Sequence, residues 1–185
     1  MKKFAAVMAS LLLAVSCPAG DDPAGKGVPS ENYSWRNVAV GGGGAVIGIL
    51  AHPLVKDLVY MRTDVGGTYR WDEPRQEWIP LQDAIPFSEW NLYGVDSFAV
   101  DPGDLTGNRI YISTCKYAGQ KLAKPNGMIM KSDDRGATWK RILPEAGGTV
   151  RDSQAGERLA VDPSNGKHLF YASRAAGLQE SDDEG

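Results

Sequence analysis

Three times after Tyr33 the chain runs through one pattern: a short apolar stretch, a turn opened by proline, and a second apolar stretch. The copies are Ile49-Leu50-Ala51-His52-Pro53 with Leu58-Val59-Tyr60, Phe98-Ala99-Val100-Asp101-Pro102 with Ile110-Tyr111-Ile112, and Leu159-Ala160-Val161-Asp162-Pro163 with Leu169-Phe170-Tyr171. β-Branched and aromatic residues favour strands, and Pro with Gly, Asn or Asp between two such runs marks a turn. A unit this small cannot bury its apolar face alone, so a chain that repeats it must stack the copies.

The second copy continues through Gly127-Met128-Ile129-Met130-Lys131 into Ser132-Asp133-Asp134-Arg135-Gly136-Ala137-Thr138-Trp139, which fits the Asp-box pattern S-x-D-x-G-x-T-W. In such a turn Ser and Asp side chains cap backbone N–H groups, Gly takes the special dihedral, and Trp is expected to pack under the next strand. Ser132, Asp134, Gly136 and Trp139 are therefore assigned to structure, not to a site. The third copy begins the same box at Ser181-Asp182-Asp183-Glu184-Gly185, where the sequence stops, so the chain reads as truncated. In the first copy Trp71 and Trp78 stand at the spacing of Ser132 and Trp139, a decayed form of the turn.

A fourth run begins near each tryptophan, Trp78-Ile79-Pro80-Leu81 and Trp139-Lys140-Arg141-Ile142-Leu143. Four-stranded units at this period predict an all-β chain, a β-propeller of which about three blades are present, where closed propellers have roughly four to eight. Tyr33-Ser34-Trp35-Arg36-Asn37-Val38 reads as an isolated fourth strand of the kind that closes a ring with the last blade.

Lys2 and Lys3 precede an apolar run from Phe4 to Val15, too short to span a bilayer as a stable helix but suited to a signal peptide. The run ends Leu13-Ala14-Val15-Ser16-Cys17, which resembles a bacterial lipobox and makes Cys17 a lipidation candidate, with ordinary cleavage nearby as the alternative. Residues 1–16 thus read as a signal peptide, 17–32 as a flexible Gly/Pro-rich tether, and 33–185 as a partial propeller. Localisation follows as exported: a surface or periplasmic lipoprotein, otherwise extracellular. A disulfide from Cys17 to Cys115 conflicts with the place of Cys17 in the export segment. Cys115 reads as a small buried residue, because neither His52 nor His168 lies in a recognisable dyad context.

With 20 Lys+Arg against 23 Asp+Glu the chain lacks the basic footprint of a nucleic-acid binder, and two His with two Cys cannot build a His/Cys metal cluster. No nucleic acid, metal or cofactor is expected.

In an antiparallel four-stranded blade the first and third turns share one face, which takes the boxes. The opposite face receives Thr63–Gly67, Thr114–Asn126 and Ser173–Ala176 with Gly41–Gly44, Gln82–Val95 and Glu145–Glu157, the longer and more varied segments, where a rigid scaffold usually carries its site. Arg62-Thr63-Asp64-Val65-Gly66-Gly67-Thr68-Tyr69-Arg70-Trp71 sets a carboxylate between an arginine and a glycine pair, and Gly41–Gly44 would let another chain or a ligand approach it closely. Phe87-Ser88-Glu89-Trp90-Asn91-Leu92-Tyr93 adds aromatics, whose flat faces beside carboxylates suit sugar rings. On spacing alone, Asp64 can equally be a turn cap or an arginine partner. Trp90, Asn91, Tyr93, Tyr69 and Tyr117 are candidate sugar contacts, with blade packing as the alternative for each aromatic.

Tyr33–Gly44, the element Arg62–Arg70 and Gly156-Glu157-Arg158-Leu159-Ala160-Val161-Asp162-Pro163 together resemble the N-terminal part of glycoside hydrolase family 74. That family comprises xyloglucanases and reducing-end-specific xyloglucan cellobiohydrolases built from two seven-bladed propellers facing across a cleft. The resemblance covers Tyr33 to Gly185. It implies that the chain is the N-terminal part of a seven-bladed propeller, with xyloglucan as the partner polysaccharide and the second propeller of the parent chain as the other. It also implies that Asp64 is the general base of an inverting hydrolysis. Such a reaction needs a second carboxylate as acid roughly 6.5 to 9.5 Å away. In the family the second propeller supplies it, so no residue here is assigned to it, and this chain alone is expected to be inactive. Two other readings stay open. A non-catalytic Asp-box propeller binding glycan or protein would need no Arg62-Thr63-Asp64 element, whereas a sialidase-like enzyme should show an early Arg-Ile-Pro, which this sequence lacks.

Overall fold

The computed structural model describes residues 34–114, 127–144, 157–173 and 176–185. Cys17, Cys115 and Tyr117 lie outside the described residues. The chain divides into two compact units, Met1–Asn37 and Val38–Gly185. Of the first only Ser34–Asn37 is described, and these residues are not in a strand.

The second unit is all-β. Val46–Ala51 (β1), Val59–Thr63 (β2), Thr68–Asp72 (β3) and Glu77–Pro80 (β4) form one four-stranded sheet in chain order. Val95–Val100 (β5), Ile110–Thr114 (β6), Met128–Ser132 (β7) and Lys140–Pro144 (β8) form a second. Leu159–Asp162 (β9), Asn165–Ser173 (β10) and Gly177–Ser181 (β11) form a third sheet with β10 central. Every pairing is antiparallel. These are successive blades of a partial β-propeller, and no sheet among the described residues is closed.

The period-two alternation of strands explains how the blades stack. In the middle blade Phe98, Val100, Ile110, Ile112, Met128 and Met130 face the first blade, where they meet Leu58, Tyr60 and Leu81. The residues between them, Ala99, Tyr111 and Ile129, face the third blade and meet Leu159, Val161, Leu169 and Tyr171. β5, β6 and β7 are therefore buried along their whole length, whereas β1 and β11 are mostly open. Each large side chain fully buried in this way contributes roughly 1.5–3 kcal/mol.

The turn after β7 is held by its own side chains. Ser132 Oγ accepts from Gly136 N at 2.8 Å and donates to Asp134 Oδ1 at 2.7 Å, and Asp134 accepts from both the amide and the hydroxyl of Thr138. Arg135 and Gly136 take the left-handed conformation, at φ 60° and 87°. Trp139 corrects the expectation that it packs under the next strand. The indole N–H of the half-buried ring finds its acceptor in Leu81 O on the preceding blade at 2.7 Å, so the ring packs backwards into the first interface. The Ser181–Gly185 turn repeats the pattern, with Gly185 N donating to Ser181 Oγ at 2.7 Å. In the first blade Trp71 and Trp78 are cross-strand partners with ring centroids 5.3 Å apart.

Candidate active site

The loop between β2 and β3 is fixed from within by Thr63. Its hydroxyl donates to Gly67 O at 2.9 Å and accepts from Gly66 N at 2.8 Å, while its own amide donates to Gly67 O at 2.9 Å. Gly67, at φ 93°, supplies the left-handed step that turns the chain into β3. Asp64 stands half-buried at the start of this loop.

The approach that the Gly41–Gly44 run permits is made by the loop itself. Ala45 N donates to Asp64 Oδ1 at 2.8 Å, and Asp64 N donates to Ala45 O at 3.1 Å. A Cβ on Gly44 would stand 2.8 Å from Asp64 Oδ1, and one on Gly66 would collide with the Gly43 carbonyl. A Cβ on Gly42 would collide with the Tyr69 hydroxyl. Only glycines let the two segments touch this closely, and the contact fixes one oxygen of the Asp64 carboxylate against a backbone N–H.

The candidate sugar contacts divide. Tyr69 is buried beneath Gly42 and donates its hydroxyl to Gly66 O at 2.8 Å; burial, then the charge of Asp83, pushes its phenol up and keeps it a neutral donor. Asn91 is fully buried. Neither presents a surface as placed, both being buried. Trp90 and Tyr93 are half-buried on the 3₁₀ segment Phe87–Tyr93, and Tyr93 donates to Ile85 O at 2.6 Å. Phe87 is exposed. Gln82 joins this segment to the Asp64 loop: its Oε1 accepts from Thr68 N and its Nε2 donates to Leu92 O, both at 2.7 Å.

Arg62, beside Asp64 in sequence, serves the scaffold. It is buried, donates to Glu157 Oε1 at 2.7 Å and to Val95 O at 3.1 Å, and so joins one strand of each of the first two blades to the segment leading into the third. Glu157 Oε2 accepts from Ser97 Oγ at 2.9 Å and Phe98 N at 2.8 Å, and Arg158 pairs with the buried Asp96 at 3.0 Å. Sequence reasoning missed Ala45, Gln82 and Glu157 as supports of the site, though the glycine run pointed to the first.

Neither histidine belongs to the site. His52 Nδ1 accepts from Leu54 N and Val55 N, so Nε2 carries the proton donated to Asp101 O at 3.1 Å, a tie between first and second blades. His168 meets Glu180 at 2.8 Å and Asp162 at 3.3 Å through its two nitrogens; the bond to Glu180, opposed by desolvation and aided by Asp162, raises its pKa. Among the described residues, His168, Glu180 and Asp182 form the one group of three or more His, Cys, Asp or Glu side chains whose ligand-type atoms all lie within 4.8 Å of one another.

Comparison with known proteins places this geometry in a family. The xyloglucanase Xgh74A of Acetivibrio thermocellus is 44% identical over 187 residues, which is 98% of this chain and 21% of that protein. In the GH74 xyloglucanase from Xanthomonas campestris a matching region is superposable with TM-score 0.71 and 43% identity, covering 83% of this chain and 22% of that one. The chain belongs to glycoside hydrolase family 74. It spans about a fifth of the length of these relatives. The oligoxyloglucan-reducing end-specific xyloglucanase of Emericella nidulans is 41% identical over 157 residues, 83% of this chain and 18% of that protein. The GH74 enzyme of Niastella koreensis has TM-score 0.67 at 39% identity over 80% of this chain and 22% of its own. No family model matches the chain.

Proposed function

We propose that this chain is the N-terminal part of an exported glycoside hydrolase that cleaves the β-1,4-glucan backbone of xyloglucan with inversion, and that Asp64 is its general base. The observation that carries the reading is the Ala45–Asp64 contact, which fixes a half-buried carboxylate on a rigid loop. A base must be held within hydrogen-bond reach of the water it activates. With Oδ1 anchored, the carboxylate has a defined direction. Trp90, Tyr93 and Tyr117 are the proposed sugar platforms, with Tyr69 and Asn91 bracing the loops from beneath. The general acid comes from the second propeller of the parent chain, and this chain alone leaves xyloglucan uncut.

The same reading takes the Ser132–Trp139 and Ser181–Gly185 turns as structural Asp boxes. It takes residues 1–16 as a signal peptide and Cys17 as the lipidated end of a surface tether. Hydrolysis of xyloglucan by the full reading frame, followed by ¹H NMR, tests the function: inversion releases the α-anomer first. A full-length protein that binds xyloglucan without cutting it would instead support a non-catalytic propeller.

A further inference from the structure

Gln82 lies buried just beyond β4, and its neighbours allow its carboxamide one orientation. Oε1 accepts from Thr68 N and Nε2 donates to Leu92 O, so a flipped amide would set N–H against N–H and oxygen against oxygen. Leu81 N still donates to Thr68 O at 2.9 Å, and the Gln82 side chain then takes the N–H of the same residue, extending the pairing of β3 past the end of β4. Gly67 leaves the room, since a Cβ there would lie 3.1 Å from Gln82 Oε1. The Gly67 carbonyl accepts from both the amide and the hydroxyl of Thr63, the residue before Asp64. On its other side Gln82 holds the aromatic segment twice. Its Nε2 reaches Leu92, between Asn91 and Tyr93, and its carbonyl accepts from Ile85 N at 2.9 Å, where Ile85 O in turn accepts from the Tyr93 hydroxyl.

We infer that Gln82 is a positioning residue: its carboxamide sets the spacing between the Asp64 loop and the segment that carries Trp90 and Tyr93, and so places the sugar platform against the base. The inference rests on the hydrolase reading above. Thr68, Asn91 and Leu92 are fully buried, so a broken tie leaves polar backbone groups unpaired away from water and the two segments must shift to recover them. The Asp64 carboxylate keeps its own anchor on Ala45 N, which does not pass through Gln82.

The test follows xyloglucan hydrolysis by the full reading frame as wild type, Gln82→Glu and Gln82→Met. Glutamate keeps the acceptor for Thr68 N, but its carboxylate sets a second oxygen against Leu92 O. Protonation restores a donor there, and burial beside a carbonyl lifts that carboxyl above its ordinary value of about 4.3. Methionine serves neither partner at any pH. The expected result at pH 8 is a KM raised about tenfold in both variants, with kcat within about threefold of wild type, the signature of lost binding with the base in place. At pH 5 Gln82→Glu recovers most of the wild-type KM and Gln82→Met does not. Variants that lower the thermal midpoint while keeping the wild-type KM make Gln82 a residue of the scaffold alone and overturn the inference. A loss confined to kcat, or a Gln82→Glu penalty equal at both pH values, overturns it as well. A full-length protein that cuts no xyloglucan fails the hydrolase reading and takes this inference with it, whereas an active one with unchanged KM in the variants fails the inference alone.

Discussion

Arg62 and Glu157 stand far apart in sequence and meet at 2.7 Å, the arginine almost without exposure. Gly48 makes the room, since a Cβ there would lie 2.8 Å from Arg62 Nε and 2.9 Å from Glu157 Oε1. Removing one partner of a buried ion pair leaves a stranded charge, at a cost of about 3–5 kcal/mol when both are buried. Glu157 is 39% exposed in its side chain, so Glu157→Ala is expected to cost less than that, about 2–3 kcal/mol by urea unfolding. Gly48→Ala should destabilise by about 1–3 kcal/mol through overpacking. Wild-type midpoints in both would contradict the clamp.

The box turn offers a second check. Ser132 is fully buried, and its hydroxyl is the acceptor for Gly136 N. Ser132→Ala leaves that amide unsatisfied and should cost about 1–3 kcal/mol. Asp134→Ala removes the acceptor of Thr138 N and should cost about 1 kcal/mol, the usual worth of a capping side chain. Thermal unfolding of the two variants should rank them in that order.

His168 makes stability depend on pH in a definite direction. Its folded pKa is raised by Glu180 and Asp162, so its contribution is full below the unfolded value of about 6.5 and fades as pH rises through the folded value. The gap in thermal midpoint between wild type and His168→Gln should be wider at pH 5 than at pH 9. A gap that widens toward alkaline pH would contradict the bonding seen.

Asp104 works the other way. Burial pushes its carboxyl up, but the Thr106 hydroxyl and the amides of Arg109, Thr106 and Asn108 outweigh this and bring it down to about 2. Its stabilisation is present above the ordinary carboxylate value and is lost as pH falls toward 2. Asp104→Asn should therefore flatten the acid limb of the stability curve; an unchanged limb would contradict it.

Strand pairs, turns and blade order could be read from the repeat because alternation and turn chemistry are local. Which blade a side chain faces is not local. Trp139 was expected under the next strand and reaches back to Leu81, and Tyr69 was expected at a sugar surface and lies under Gly42. Arg62 looked like a neighbour for Asp64 and proved to be the clamp on Glu157, a pairing that no short window can reveal. Asp64 was marked by the family resemblance, and the close backbone approach beside it left its trace in the glycines of both segments, Gly41–Gly44 and Gly66-Gly67.

The most direct measurement replaces the homologous stretch of the Acetivibrio thermocellus xyloglucanase with this chain and compares the chimera with its Asp64→Asn variant on xyloglucan. Loss of a general base lowers kcat by roughly 10²–10⁴. The expected result is a fall in that range with KM and thermal midpoint little changed. An Asp64→Asn chimera that keeps more than about a tenth of the parent kcat would contradict the assignment of Asp64 as the base.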